Sequence, residues 1–377
     1  MLLATMAMST LAFFTLAVVA SELQTEFDIS KFELGMLGAV NTLVGGLFAP
    51  QAGQLSDRMG GRNAMAATLA LSGGSAVIIA LAQSYAMLLV GMAFAGLPQG
   101  FGNPAANKAI ASGIDPSLRG IITGVKQSGV QLAVFVSGFA MPWISNEYGW
   151  RSGIWIVAAV SFASLLGVSF VTETEFKSEA AIGHTTSRAG TLPLFVTQVA
   201  IFGFLLGIVG GGLGRFLPLF AEEAVGFSPE AAGRVFGLQG LIAIPCRLLS
   251  GVALDRGVPA RKMLVAMGIA GAVSIILILL ANGGSPNYLW IGTVIGGMSL
   301  GSWNTAANLS MIRQKQDAGR ATGRLMLGFL IGLTVGGPAV GWSIDAFGYN
   351  PAWIVSSALA LAGALVVSVN RGPETNR

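Results

Sequence analysis

Twelve apolar stretches, each about 20 residues long, divide the chain and leave few folds open to it. The hydrocarbon core of a bilayer is about 30 Å thick, and an α-helix needs about 20 residues to cross it. The sequence therefore predicts an all-α polytopic membrane protein with twelve transmembrane helices. The stretches lie roughly at 2–21, 34–53, 64–82, 86–108, 119–141, 152–171, 194–219, 233–253, 262–281, 287–311, 323–345 and 351–369.

The composition excludes an ordinary soluble enzyme. Of the 377 residues, 10% are charged and 53% are hydrophobic, whereas soluble globular proteins have about 25% charged residues. The 53 glycines are typical of helices that pack closely in lipid. Cys246 is the single cysteine, so no intrachain disulfide can form. We expect no cofactor, no metal and no nucleic-acid partner, and the lipid bilayer as the surroundings.

Basic residues are distributed unevenly between the connections. With the N-terminus inside, the outer connections hold only Lys31, Arg151 and Arg234. The positive-inside rule therefore predicts that both termini are cytoplasmic. The inner connections and the tail hold 14 of the 21 Lys and Arg residues: Arg58, Arg62, Arg119, Lys177, Arg188, Arg256, Arg261, Lys262, Arg313, Lys315, Arg320, Arg324, Arg371 and Arg377.

A polar interruption separates six stretches from six. It gives three predicted parts: an N-terminal six-helix bundle at 1–172, a cytoplasmic linker at 173–193 and a C-terminal six-helix bundle at 194–377. The two halves also repeat each other in sequence, which indicates an internal duplication of the kind that builds secondary transporters. The matches are Asp57 with Asp255 (255 − 57 = 198), Asn103-Pro-Ala-Ala-Asn107 with Asn304-Thr-Ala-Ala-Asn308 (304 − 103 = 201) and Arg119 with Arg320 (320 − 119 = 201).

The connection between the second and third stretches resembles the loop signature of the major facilitator superfamily. It reads Gly53-Gln-Leu-Ser-Asp57-Arg58-Met-Gly60-Gly61-Arg62, and Asp255-Arg256 with Arg261-Lys262 repeats it in degenerate form. Gly61 stands where the family more often has a second basic residue. The resemblance extends over the whole chain and is to bacterial members, which implies a location in a bacterial inner membrane. It implies the major facilitator fold, in which two pseudo-symmetric six-helix bundles transport a substrate by alternating access.

The resemblance also implies a conformational latch. Asp57 can pair with arginines and with the N-terminal dipole of a neighbouring helix, in contacts that exist in one conformation only. In the family this latch holds the outward-facing state. The alternative is that the arginines only set the topology. The expected latch and gate residues are Asp57, Arg58, Arg62, Asp255, Arg256 and, near the outer surface beside Glu222 and Glu223, Arg215.

Four cations lie within the stretches, Lys108, Lys126, Arg215 and Arg247, and two of them, Lys126 and Arg247, reach a similar depth with no carboxylate in their own stretch. Lys126 is about 10 Å along the fifth stretch from Arg119, and Arg247 is about 12 Å from Asp255 in the eighth. In the family fold these two spans line the central cavity, so the resemblance brings one cation from each half to one site. Desolvated cations are tolerated where a bound anion supplies the missing charge. A guanidinium matches a carboxylate especially well.

Uncharged polar residues could complete the site. They form three pairs at i and i+4, each on one helical face: Gln127 with Gln131, Asn103 with Asn107, and Asn304 with Asn308. In the family, the fourth and tenth spans, which carry the asparagines, line the cavity. The alternative is that the amides bond across the bundle and the cations extend to the membrane surface. The segment Arg247-Leu-Leu-Ser-Gly251 is similar to that of monocarboxylate transporters of this superfamily. The predicted substrate-binding residues are Lys126, Arg247, Gln127, Gln131, Asn103, Asn107, Asn304 and Asn308.

The sequence therefore predicts a secondary active transporter for a small organic anion, above all a carboxylate, and not an enzyme. A coupled proton or other ion is a further expected partner, and symport, exchange and uniport stay open. The alternative is a proton-coupled efflux transporter for drugs or sugars. That alternative usually requires a carboxylate within the membrane and often a Gly-Pro-rich signature in the fifth span, and this chain has neither.

Overall fold

The computed structural model describes residues 1–113, 119–170, 192–313 and 318–369. These residues form thirteen α-helices and no strand. The helices are α1 (Leu2–Val18), α2 (Ala20–Phe27), α3 (Lys31–Ala80), α4 (Tyr85–Gly113), α5 (Arg119–Tyr148), α6 (Trp150–Val168), α7 (Leu194–Glu223), α8 (Pro229–Asp255), α9 (Ala260–Leu280), α10 (Asn287–Met298), α11 (Trp303–Ile312), α12 (Ala318–Phe347) and α13 (Tyr349–Ser368).

The thirteen helices correspond to the twelve predicted spans after three adjustments. The first span is broken, because α1 and α2 meet at a bend of 66°. The helix α3 contains two spans, which join at Gly60 with φ 79° and ψ 162°, a conformation that favours glycine. The tenth span is also broken, because residues 299–302 separate α10 from α11. Within the described ranges, nine helices are individually long and apolar enough to cross a membrane, or ten with the bent pair.

The chain divides into two compact units. The first consists of Met1–Ile29 and Met36–Gly183, and the second of Ser30–Gly35 and His184–Arg377. The short segment 30–35, which the sequence assigns to the N-terminal bundle, thus belongs by its contacts to the second unit. Most of the predicted linker at 173–193 lies outside the described residues.

In the first unit, α1 packs chiefly against α5 and also against α4 and α6. The contact of α1 with α5 includes a buried hydrogen bond between the hydroxyls of Thr15 and Ser137, which are 3.3 Å apart. Hydroxyl bonds of this kind link transmembrane helices because lipid offers no competing partner. Because α1 packs against both α4 and α5, which also contact each other, α5 with Lys126 lies beside Asn103 and Asn107 of α4.

In the second unit, α7 and α12 form the most extensive helix contact. Their backbones touch through glycines. A Cβ added at Gly332 would overlap the carbonyl oxygen of Phe204, and one added at Gly336 would overlap that of Ile208. These glycines of the eleventh predicted span therefore serve close packing, as small residues do at helix interfaces in membranes.

We predict that Gly332→Ala lowers the free energy of unfolding by about 1 to 3 kcal/mol, because the added methyl group must push α12 away from α7. Gly323→Ala is the matched control on the same helix, where a Cβ meets nothing within 4 Å. The control should be neutral or stabilising by up to about 1 kcal/mol. Thermal unfolding of the purified variants measures the difference, and equal effects of the two substitutions would contradict the packing argument.

Candidate functional site

A lysine in the first unit is held by two asparagines. The Nζ of Lys126 on α5 donates hydrogen bonds to Oδ1 of Asn107 at 2.7 Å and to Oδ1 of Asn103 at 3.1 Å, both on α4. The lysine is 1% exposed, whereas both asparagines are exposed. Throughout the described ranges no carboxylate pairs with this ammonium. Neutral oxygens therefore solvate the positive charge but do not cancel it.

Helix geometry explains why both asparagines reach the same ammonium. Residues at i and i+4 stand one above the other on one helix face, and α4 packs against α5. The three residues were each predicted as substrate-binding residues. Their mutual contact was not predicted, because no sequence pattern relates a position on α5 to a face of α4.

Arg247 in the second unit uses only part of its guanidinium for the protein. The side chain is half-buried on α8, and its Nε donates to the carbonyl oxygen of Gly301 at 2.9 Å. In the part of the chain that the structure describes, no group accepts a hydrogen bond from Nη1 or Nη2. The planar fork that suits a carboxylate is therefore left without a protein acceptor.

Gly301 is a residue that the sequence analysis missed. It lies in the break between α10 and α11. Interrupted helices near the middle of the membrane expose backbone groups that can bind ligands or side chains, and short glycine-interrupted spans are the sequence signal for them. The glycines at 296, 297 and 301 carried that signal.

Within the described ranges, the four remaining predicted amides form no hydrogen bond with Lys126. Asn308 donates from Nδ2 to the backbone oxygen of Asn304 at 2.9 Å and also to the Oδ1 of that residue. On α5, Gln127 is half-buried and Gln131 is buried, and neither side chain makes a hydrogen bond within the described residues. The structure thus brings Lys126, Asn103 and Asn107 together, and it pairs the two amides of α11 with each other.

The two aspartates of the duplicated loop have partners within their own units. The Oδ1 of Asp57 lies 3.2 Å from Nζ of Lys108 on α4, and the Oδ1 of Asp255 lies 3.1 Å from Nη2 of Arg313. The sequence analysis expected arginine partners for Asp57, and the structure provides a lysine. Arg58 and Arg256 are exposed. Exposed ion pairs of this kind stabilise a fold by about 0 to 1 kcal/mol.

The arginines that follow these aspartates bind the ends of helices. Arg62 donates to the carbonyl oxygen of Ser169, after α6, at 3.2 Å. Arg261 donates to that of Val369, after α13, at 2.8 Å. The offsets, 261 − 62 = 199 and 369 − 169 = 200, agree with the duplication. A cation at the C-terminal end of a helix is favourable, because the last carbonyls lack helical partners.

Arg215 is buried within its own unit. The sequence predicts a gate residue near the outer surface, and the residue is 1% exposed within the second unit. It lies on α7, which continues for eight residues beyond it, to Glu223. Glu223 itself pairs with Lys31 at 3.0 Å and accepts a hydrogen bond from Tyr349 at 2.9 Å.

Comparison with known proteins decides the family. The family model of the Major Facilitator Superfamily matches residues 2–316. The chain belongs to this superfamily. It is therefore a secondary transporter and an integral membrane protein, not an enzyme, and its helices have the major facilitator fold.

Similar proteins and structures agree with this assignment. The multidrug resistance protein MdtG of Yersinia enterocolitica is 25% identical over 342 residues, which cover 88% of this chain and 81% of that one. A probable 4-methylmuconolactone transporter of Cupriavidus pinatubonensis is 34% identical over 135 residues, 34% of this chain and 31% of that one.

Among solved structures, a bacterial homologue of the human lysosomal transporter Spinster, in an inward-facing and occupied conformation, has a TM-score of 0.80 at 16% identity. The match covers 97% of this chain and 95% of that one. A mutant form of the nucleoside transporter NupG has a TM-score of 0.79 at 10% identity, covering 97% of this chain and 98% of that one. At these identities the likeness concerns the fold alone.

We predict that Arg261→Met destabilises the protein more than Arg62→Met does. Arg261 is buried and also bonds Gln198 Oε1 at 3.1 Å, so its loss leaves buried oxygens without a donor. The expected cost is about 2 kcal/mol or more for Arg261 and below about 1 kcal/mol for Arg62, whose bond is exposed. Thermal unfolding in detergent measures both, and the reverse order would disprove this explanation.

Proposed function

We propose that this superfamily member transports a small organic anion, above all a carboxylate, by alternating access. The observation that carries the proposal is the buried ammonium of Lys126, which has two neutral amide oxygens as its partners. A dehydrated positive charge without a carboxylate is costly inside a membrane, and charged residues there usually serve a substrate or ion pathway. A bound anion supplies the missing negative charge.

Arg247 supports the same substrate class from the second unit. Its fork of terminal nitrogens has no acceptor in the described part of the protein, and it matches the two oxygens of a carboxylate. We propose that Lys126 and Arg247 supply the two positive charges of the site. Gln127, Gln131, Asn304 and Asn308 are the further polar residues that we propose for it.

The relatives support two substrate classes. Muconolactones are lactones that carry a carboxylate, so the transporter from Cupriavidus pinatubonensis agrees with an anionic substrate, although it matches only 34% of this chain. The MdtG relative covers 88% of the chain and favours a second candidate, proton-coupled multidrug efflux. A cationic drug would be repelled by Lys126 and Arg247, and for this reason we place the anion first.

The membrane arrangement belongs to the same proposal. We propose an inner-membrane location with both termini in the cytoplasm, which agrees with the bias of basic residues toward the inner connections. A proton or another ion is the proposed coupling partner. Transport of labelled substrate into proteoliposomes, with and without a pH gradient, distinguishes symport from uniport.

We predict that Lys126→Ala and Arg247→Ala each weaken anion binding at least about tenfold, because each removes one of two positive charges from a water-poor site. The measurement is thermal stabilisation of the purified protein by sodium carboxylates, since a ligand that binds only the folded state raises the melting temperature. Arg234→Ala, which removes an exposed charge from the same helix as Arg247, is the control and should bind normally.

Two outcomes would overturn the anion proposal. The first is unchanged anion binding by both variants. The second is stabilisation of the unsubstituted protein by a lipophilic cation such as tetraphenylphosphonium and by no anion. The second outcome would move multidrug efflux to the first place.

We also propose that Asp57 acts as a conformational latch, with Arg58, Arg62, Asp255 and Arg256 as the neighbouring charges. Asp57→Asn is predicted to change the ratio of inward to outward states several-fold, because the charged contact of Asp57 favours one state over the other. Labelling rates of single cysteines introduced at the two membrane faces report that ratio. Asp255→Asn is the matched variant of the second unit, and unchanged labelling in Asp57→Asn would contradict the latch.

A further inference from the structure

The orientation of the two asparagine amides on α4 follows from the chemistry of lysine. An ammonium group has three hydrogen-bond donors and no acceptor. A carboxamide that contacts it must therefore present its oxygen. Both Asn103 and Asn107 do so, at 3.1 Å and 2.7 Å from Nζ of Lys126. The orientation of each amide is thus set by the lysine and not by a choice between two equivalent positions of oxygen and nitrogen.

The same contact directs the amide nitrogens away from the lysine. Oδ1 and Nδ2 diverge from the same carbon of a planar amide, so when the oxygen faces Nζ the NH₂ group points in another direction. Both asparagines are exposed, although they lie in a membrane-spanning helix, and Lys126 behind them is 1% exposed. Within the described residues neither Nδ2 donates a hydrogen bond. The exposed asparagine pair therefore has two NH₂ donors that no described protein group accepts.

We infer that Asn103 and Asn107 contact the transported anion directly through their Nδ2–H groups, and that Lys126 is a positioning residue behind them. This inference rests on the proposed anion transport and names the groups that do the binding. Lys126 has two effects: it fixes both amides with the donors outward, and its positive charge strengthens the attraction for an anion without touching it. Such donors favour oxygen acceptors, above all a carboxylate, over an ammonium cation, which the positive charge of Lys126 repels.

The duplicated half of the chain provides an internal comparison. The offset that relates Asn103 to Asn304 relates Lys126 to Leu327, since 126 + 201 = 327. No cation therefore stands at the equivalent position on α12. On α11 the Nδ2 of Asn308 donates to oxygens of Asn304, so in the second copy of the Asn-x-Ala-Ala-Asn pattern one asparagine bonds to the other. The lysine accounts for the difference between the two asparagine pairs.

The test compares asparagine variants within the first unit. The probes are sodium acetate, benzoate and succinate, followed by thermal stabilisation and by calorimetric titration of the purified full chain. Asn103→Ala and Asn107→Ala are expected to weaken binding of the preferred carboxylate about tenfold to a hundredfold, because each removes a charge-assisted donor. Asn63→Ala is the matched control and should change affinity less than about twofold, since Asn63 is an exposed asparagine of α3 whose Nδ2 already donates to the carbonyl oxygen of Met59 at 3.0 Å.

Two further variants separate positioning from direct contact. Asn107→Asp keeps an oxygen acceptor for Lys126, and so preserves the local fold, but it replaces the donor by a negative charge and should abolish carboxylate binding. Lys126→Arg retains a donor-only cation that orients the amides, and it should keep most of the affinity that Lys126→Met loses. Rescue by arginine is a result that a merely structural lysine would not give.

The outcomes distinguish this inference from the function on which it rests. If a carboxylate stabilises the unsubstituted protein and Lys126→Met loses binding while Asn103→Ala and Asn107→Ala retain it, Lys126 itself contacts the anion. The inference would then be overturned and anion transport would stand. If no probe carboxylate binds and tetraphenylphosphonium does, both proposals fail. Loss of binding in Asn63→Ala equal to that in Asn107→Ala would also overturn the assignment to these two amides.

Discussion

Lipid excludes water, and this constraint governs both the packing of this protein and the placement of its charges. A polar group within a span must find a partner in the protein or in a ligand. The backbone groups find theirs within helices, many serine and threonine hydroxyls bond to carbonyls of the preceding turn, as those of Thr42 and Thr68 do, and the hydroxyls of Thr15 and Ser137 bond to each other. The ammonium of Lys126 is more costly to bury than a hydroxyl, and the two asparagine oxygens around it do not neutralise its charge.

The internal duplication extends from the sequence to individual contacts. An aspartate pairs with a cation at the end of the fourth and the tenth span, and an arginine binds the end of the sixth and the twelfth. These contacts are local to each unit and follow the repeat. The membrane interior differs, since a lysine accompanies the asparagine pair in one half and a leucine stands at its place in the other. The two halves therefore differ at the site that we propose for the substrate.

Interruptions of the helices supply what regular helices cannot. Continuous helices bond their own carbonyls, whereas the break between α10 and α11 leaves the carbonyl of Gly301 to Arg247. One hydrogen bond holds the guanidinium in place, and its terminal nitrogens have no acceptor among the described residues. The break at Gly60 has a different role, because it lets α3 reverse direction at the loop that carries Asp57.

The sequence by itself determined the membrane class, the twelve spans and the duplication, because these depend on apolar length and on matches at a constant offset. It also named Lys126, Asn103 and Asn107 as candidates, since polar residues are rare within spans. Only the tertiary structure decided which of them meet. Lys126 is 19 and 23 residues from its partners, and contacts between helices depend on rotation and depth, which no local pattern encodes. For the same reason the partner of Asp57, the burial of Arg215 and the role of Gly301 emerged only from the packed helices.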